Sequence, residues 1–260
     1  MLAMTAPRSS WRRRLRWPLA LLACFLVAGG GLAACLIHKL PTGVAGADAD
    51  ALAHKMEQAV DSAAWGRIGA VRFVFRGETQ HLWDKQRMLD RVRFVGKGEE
   101  VLLNVHTQQG RAYKDGKELL GEAKDELVKK AYARFCNDTF WLNPLAKLFD
   151  EGVTRTRVVD QDGESLIIHY GSGGVTPGDR YQWLVGPDGV PRAWRLFVSI
   201  IKIPGLEMSW EEWQSLPTGA KIATRHRALG LDALRLTDLA GAATLAELEP
   251  GADPFALLGP

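Results

Sequence analysis

Four histidines, His81, His106, His169 and His226, have the widest chemical range in this 260-residue chain. Each falls on a different predicted strand, and no two have the spacing of a metal clip. The patterns H-E-x-x-H, G-x-S-x-G, G-x-x-x-x-G-K-[ST] and C-x-x-C do not occur in the sequence. His81 and Asp84, in His81-Leu82-Trp83-Asp84, stand three residues apart, so on a strand they point to opposite faces and form no dyad. Histidines on alternate surface faces are the plainer explanation. A hydrolase could draw on His81, His106, His169 and Asp179, but only if the fold brought them into one cleft. The expectation is no catalytic residue, no metal and no cofactor. Asp179-Arg180 reads as an exposed ion pair or a turn cap. The glycine-rich loop from Gly171 to Gly178 is followed by a strand, whereas a phosphate cradle needs a helix amino terminus, so it reads as a hairpin or rim loop. Cys136, after Phe135 on a predicted helix, reads as a buried small hydrophobe.

The aromatic residues offer a second kind of chemistry. Phe73, Phe75, Trp83, Phe140, Trp141, Trp183 and Trp194 are the candidates for lining an apolar cavity. Core packing is the competing reading, because each such ring buries a large area. Trp183 and Trp194 flank one turn and are expected to be cross-strand neighbours.

The elements that would position these residues follow from the sequence period. Asp48 is placed to cap a helix in which Leu52, Met56 and Val60 form an apolar face. His54 falls on its polar side and is expected to be solvated. From Trp65 the period becomes that of strands: 71–76, 81–84, 91–95, 101–105 and 112–114, the last meeting the Asp115-Gly116 turn. Glu122 to Phe135 is predicted as a helix, with Leu127, Ala131 and Phe135 on one face and Asn137-Asp138 ending it. The apolar piece from Thr139 to Phe149 is broken by Pro144 and reads as a loop and helical turn that plugs a core or lines a pocket. Strands resume at 154–159, 165–170, 180–185, 190–200, 207–213, 220–226 and 234–239. Tight Asp-Gly connections at 115–116, 162–163 and 188–189 favour an antiparallel meander, since parallel strands need crossover helices. The stretch 240–260, rich in Gly, Ala and Pro, is expected to be a loosely packed tail.

Ahead of the domain, 17–37 is an uncharged apolar run that spans roughly 31 Å as a helix, close to the thickness of a bilayer core. It reads as a transmembrane anchor or a lipoprotein signal. Leu32-Ala33-Ala34-Cys35 resembles a lipobox, making Cys35 a lipidation candidate. Against cleavage, the run exceeds the ~7–15 residue core of a signal peptide, and Leu36-Ile37 continue it past the cysteine. Arg8, Arg12, Arg13, Arg14 and Arg16 place 1–16 in the cytoplasm and the domain outside, which in a bacterium is the periplasm. A short tether, 38–47, follows. Those five arginines and Lys39 account for the net charge of +3; the chain beyond them is near −3. A nucleic-acid footprint is therefore not indicated.

The layout over roughly 48–239 is an initial helix, a long meander and a helix inserted after about five strands. It resembles the outer-membrane lipoprotein carrier/receptor fold (LolA/LolB-like). More locally, Asn137-Asp138-Thr139-Phe140-Trp141-Leu142, Lys147-Leu148-Phe149-Asp150-Glu151-Gly152-Val153 and Gly173-Gly174-Val175-Thr176-Pro177-Gly178-Asp179 are similar to stretches of bacterial exported proteins. The resemblance implies an α+β domain with a curved antiparallel half-barrel sheet. Helices would plug its concave face, and an acyl chain or lipidated partner would bind there. The carrier is freely soluble, whereas this chain reads as tethered, which favours an anchored receptor, lipid sensor or envelope-maintenance protein. The further alternative is a structural domain whose sheet edge pairs with an envelope partner.

Overall fold

The computed structural model describes residues 37–172 and 178–258; the anchor segment, Cys35 and most of the glycine-rich loop lie outside the described residues. Among the described residues no helix is long and apolar enough to cross a membrane. The fold is α+β, with two antiparallel sheets and few helices. Nine strands are ordered β12-β13-β14-β1-β2-β3-β4-β5-β6 and five are ordered β11-β10-β9-β8-β7. In chain order the strands are β1 (Ala70–Phe75), β2 (Thr79–Asp84), β3 (Leu89–Phe94), β4 (Glu99–Asn104), β5 (Gln109–Lys114), β6 (Lys117–Glu118), β7 (Val153–Asp160) and β8 (Gly163–Tyr170). Then come β9 (Arg180–Val185), β10 (Pro191–Phe197), β11 (Leu206–Ser209), β12 (Glu211–Ser215), β13 (Lys221–Ala228) and β14 (Leu231–Ala242).

The meander is built from tight turns, as the sequence indicates. Asp115 and Gly116 both take positive φ, at 49° and 76°, which a two-residue hairpin turn requires and which Gly adopts without a Cβ clash. The expected strand 207–213 is instead two strands, β11 and β12, interrupted at Trp210. The sheets meet near that break: Arg227 N donates to Ser209 Oγ and His226 Nδ1 donates to the Ser209 carbonyl, both at 2.9 Å.

One face of both sheets is covered by helices. Helix α1 (Ala47–Ala59) buries Leu52 and Met56 against the five-stranded sheet, with Val60 just beyond its end. Its N-cap is Gly46, and the expected cap Asp48 lies in the first turn, where a carboxylate still favours the helix dipole. Helix α2 (Ser62–Gly66) adds Trp65 beside β1, β13 and β14. Helix α3 (Gly121–Leu142) lays Leu127, Val128, Ala131 and Phe135 over β3, β4 and β5. It runs seven residues past the predicted end. Asn137 and Asp138 do not stop it, because Asp138 is used by a histidine of the sheet and Thr139 Oγ1 donates to the Phe135 carbonyl at 2.6 Å. Asn143 (φ −154°, ψ 76°) ends the helix, and Pro144–Lys147 forms a 3₁₀ turn. Leu142, Leu145 and Leu148 are buried there, so of the two readings this piece fills a core, although 139–142 are the end of α3 and not the loop expected.

The C-terminal stretch is not the loose tail expected. β14 extends through Ala242, a short helix α4 (Leu245–Leu248) follows, and Phe255 is 1% exposed against Leu89 and Leu102 on the sheet face opposite the helices. Arg87 holds it with paired bonds to Asp253 at 2.7 and 3.0 Å. A composition count could not show that one large aromatic would find an apolar patch on the outer face.

Candidate functional site

The five-stranded sheet presents its aromatic residues on the helix-covered face, where strand alternation puts every second side chain. Trp183 on β9 pairs in register with Trp194 on β10, as the turn between them suggests, and Trp194 pairs with Met208 on β11. The rings of Trp183, Trp194 and Trp210 contact one another with centroids 4.7 to 4.9 Å apart. Tyr181 lies 4.7 Å from Trp194. From α3, Trp141 meets Trp194 edge-on at 4.7 Å, and Phe140 lies 5.3 to 6.0 Å from Tyr170, Tyr181 and Trp194. His226 stands edge-on to Trp210 at 4.3 Å.

Four of the seven cavity candidates, Phe140, Trp141, Trp183 and Trp194, therefore share one cluster. Phe73 and Phe75 belong to a second, beside α2, which Trp141 also touches. Trp83 sits against Phe135 at 5.2 Å and Trp65 at 6.4 Å. None of the seven lines the open cavity of about 700 Å³, which lies between the outer face of β2–β5 and the C-terminal segment and is bordered by Arg91, Leu102, Tyr113 and Leu257.

The aromatic cluster is not wholly apolar. The indole Nε1 atoms of Trp183, Trp194 and Trp210 are buried with no hydrogen-bond partner in the protein, as are His226 Nε2 and the Tyr170 hydroxyl. The Ser209 carbonyl can only accept, so His226 carries its proton on Nδ1 and leaves Nε2 as a bare acceptor. Burial holds this imidazole neutral, lowering its pKa to about 4. An unpartnered buried polar group costs about 1–3 kcal/mol. These five atoms belong to one group of touching rings.

A second arrangement, centred on His81, is one sequence reasoning missed. His81 is fully buried on β2 between Asp90 of β3, 2.7 Å from Nδ1, and Asp138 of α3, 3.0 Å from Nε2. Phe73 stacks on its ring at 4.8 Å, and Asn137 Nδ2 donates to the other Asp138 oxygen at 2.7 Å. Burial opposes the charged imidazole, but the two carboxylates outweigh it and raise the pKa to about 9. The surface reading fails for His81 and also for His226, which are both 0% exposed. The available signal was phase: Asp90 alternates with Val92 and Phe94 on the inward side of β3, where a carboxylate needs a partner. With both ring nitrogens engaged by carboxylates, the triad joins sheet to helix and has no nucleophile within it.

The other polar candidates do not converge. His106 is exposed in the β4–β5 turn, and His169 is half-buried on β8 of the other sheet. Asp179 is buried and accepts from Ser199 N at 3.0 Å, so it caps a turn and is no exposed ion pair. Burial raises the Cys136 thiol pKa, and Cys136 packs beside the α3 cluster. His54 is exposed, bonded to Glu57 at 3.0 Å. Among the described residues no group of three or more His, Cys, Asp or Glu is arranged to hold a metal ion.

No family model and no curated protein matches this chain. Among solved structures it is similar to a DUF1329 family protein from Desulfovibrio piger ATCC 29098. The TM-score is 0.37 at 8% identity, covering 78% of this chain and 95% of that one.

Proposed function

We infer that this protein is a membrane-anchored periplasmic domain that binds a lipid or lipidated partner without catalysing a reaction. In this reading the sheets form a half-barrel and the helix-covered aromatic face is its binding surface. One observation carries it: the molecule's densest aromatic surface lies under helical pieces joined at Asn143–Pro144, where the backbone leaves α3. The inner strands of each sheet are held by ladders on both sides, whereas these pieces are held mainly by side-chain packing, so the cover is the part that displacement would move. Acyl methylenes would take the place of Phe140, Trp141, Leu145 and Leu148 against the tryptophans. The unpartnered indole N–H groups would meet ester or hydroxyl oxygens of the ligand.

Native mass spectrometry of the full chain, purified without denaturant, tests this. The expected result is co-purifying lipid mass and uptake of a fluorescent acyl probe, weakened by Trp194→Ala. A clean ligand-free mass with no probe uptake would sink the reading.

A further inference from the structure

Six of the twelve exposed large hydrophobic side chains among the described residues gather at one end of the sheets, the end where the chain enters the domain, and the other six are spread over the rest of the surface. In the β10–β11 connection, Ile200 is 71% and Ile203 37% exposed. In the β13–β14 turn, Leu229 and Leu231 are 56% and 72% exposed. These two turns lie at the same end. β12 pairs Glu211 with Arg225, and Arg227 N reaches Ser209 Oγ. Continuing that register two residues brings Leu229 level with Glu207, directly after the β10–β11 connection. The segment entering the domain passes there too: His38 N donates to the Pro204 carbonyl at 3.2 Å, and Gly205 is packed against His38. Ile37 and Leu40, on either side of that contact, are 53% and 38% exposed. Lys39, Lys202 and Arg227 are exposed among them, with Asp232 as the facing acid, 4.0 Å from Arg227.

A scatter of single surface leucines needs no explanation, but aliphatic tips gathered on adjacent turns and mixed with basic residues suit a lipid interface. The occupant is indicated by where the undescribed chain ends. The uncharged run 17–37 stops at Ile37, one residue before the His38–Pro204 contact, so whatever holds that run lies next to these turns. The geometry points to a second membrane contact: the rim formed by Ile200, Ile203, Leu229 and Leu231 rests in the interfacial layer of the bilayer that holds the amino-terminal run. The domain is thereby fixed in orientation, with the Asp160–Gly163 and Gly186–Gly189 turns pointing away. This rests on the run being membrane-held, not on the domain binding a lipid in its core. It applies equally to an uncleaved anchor and to lipidation at Cys35, since either ends within a few residues of His38. Aliphatic tips supply the burial, and the basic residues favour an anionic leaflet.

The test uses the full chain in vesicles of phosphatidylethanolamine and phosphatidylglycerol. p-Benzoylphenylalanine replaces Ile200, Ile203 or Leu231, with Val159, 65% exposed beside the opposite turns, as the control position. Irradiation is expected to give phospholipid adducts, read by mass, from the three rim positions and not from Val159. In the Ile200→Asp/Ile203→Asp double variant, whose changes are at exposed sites, the adduct at Leu231 should be lost while membrane retention is unchanged. Adducts at Val159 as strong as those at the rim, or none at the rim, would overturn the proposal. Persistence of the Leu231 adduct in the double variant would show that the two turns do not act as one surface. Loss of membrane retention in the unaltered chain would instead remove the anchor reading, and this proposal with it.

Discussion

A fully buried imidazolium between two carboxylates carries its energetics in the pairing, because no water screens any of the three groups. Removing the cation strands Asp90 and Asp138 together, whereas converting one carboxylate to an amide leaves the other as counter-charge. His81→Gln should therefore cost about 3–5 kcal/mol and Asp138→Asn about 1–3 kcal/mol, read from urea midpoints; the reverse ranking would contradict the ion-pair account. The pH dependence has a definite sign. Because the folded-state pKa, about 9, lies above the ordinary histidine value of 6.5, the contribution is complete below pH 6.5 and is lost as pH rises through 9. Lys85, lowered by burial to about 8, acts in the opposite sense between pH 8 and its ordinary value. The wild-type minus His81→Gln difference isolates the histidine: it should shrink steadily across pH 6.5–9, and a flat difference would refute the assignment. The inward phase of Asp90 was legible from its neighbours, but its grouping with His81 and Asp138 was not. Asp90 and Asp138 are nine and 57 positions from His81, and only the β2–β3 register and the length of α3 bring them together.

At the scale of elements, hairpins were the most readable part, because turn chemistry and period-two alternation are local signals. Helix ends and the C-terminal segment were not, since long-range partners decide them. Asp138 and Thr139 are poor helix formers, but Asp138 is engaged by His81 and Thr139 Oγ1 bonds back to the Phe135 carbonyl of the same helix. Neither side chain competes for the backbone ahead, so α3 continues to Leu142. Phe255 shows the same dependence. Its Gly/Pro-rich surroundings give no local reason to pack, yet it covers Leu89 and Leu102, and Arg87 fixes Asp253 two residues before it. A segment held by one buried aromatic should behave as a unit. Phe255→Ala is expected to cost about 3–5 kcal/mol and to raise amide exchange throughout Leu245–Leu258 while leaving α3 unchanged. A loss under about 1 kcal/mol, the range of ordinary surface substitutions, would mean that the segment contributes little.

For the whole molecule, the proposed membrane attachment turns on residues that precede Ile37. The tether is not a free linker: His38 is bonded to the Pro204 carbonyl, and Val44 bridges to Arg157 on the edge strand β7. In the anchored reading proposed above, a chain pinned that close to its apolar run would keep the domain beside the membrane, which would disfavour a shuttling role. The two attachments differ at one atom. If Cys35 Sγ is acylated, cleavage ahead of it removes the five arginines; if the run is retained, they remain as the cytoplasmic flank. The length of the run and its continuation through Leu36-Ile37 favour retention. Cys35→Ser should then leave electrophoretic size, membrane retention and absence of labelling by a tagged fatty acid all unchanged. A wild-type chain that takes up the label and migrates faster than the Cys35→Ser chain would establish a lipoprotein instead. The rim of Ile200, Ile203, Leu229 and Leu231 would still face the bilayer, because Cys35 lies only three residues before His38.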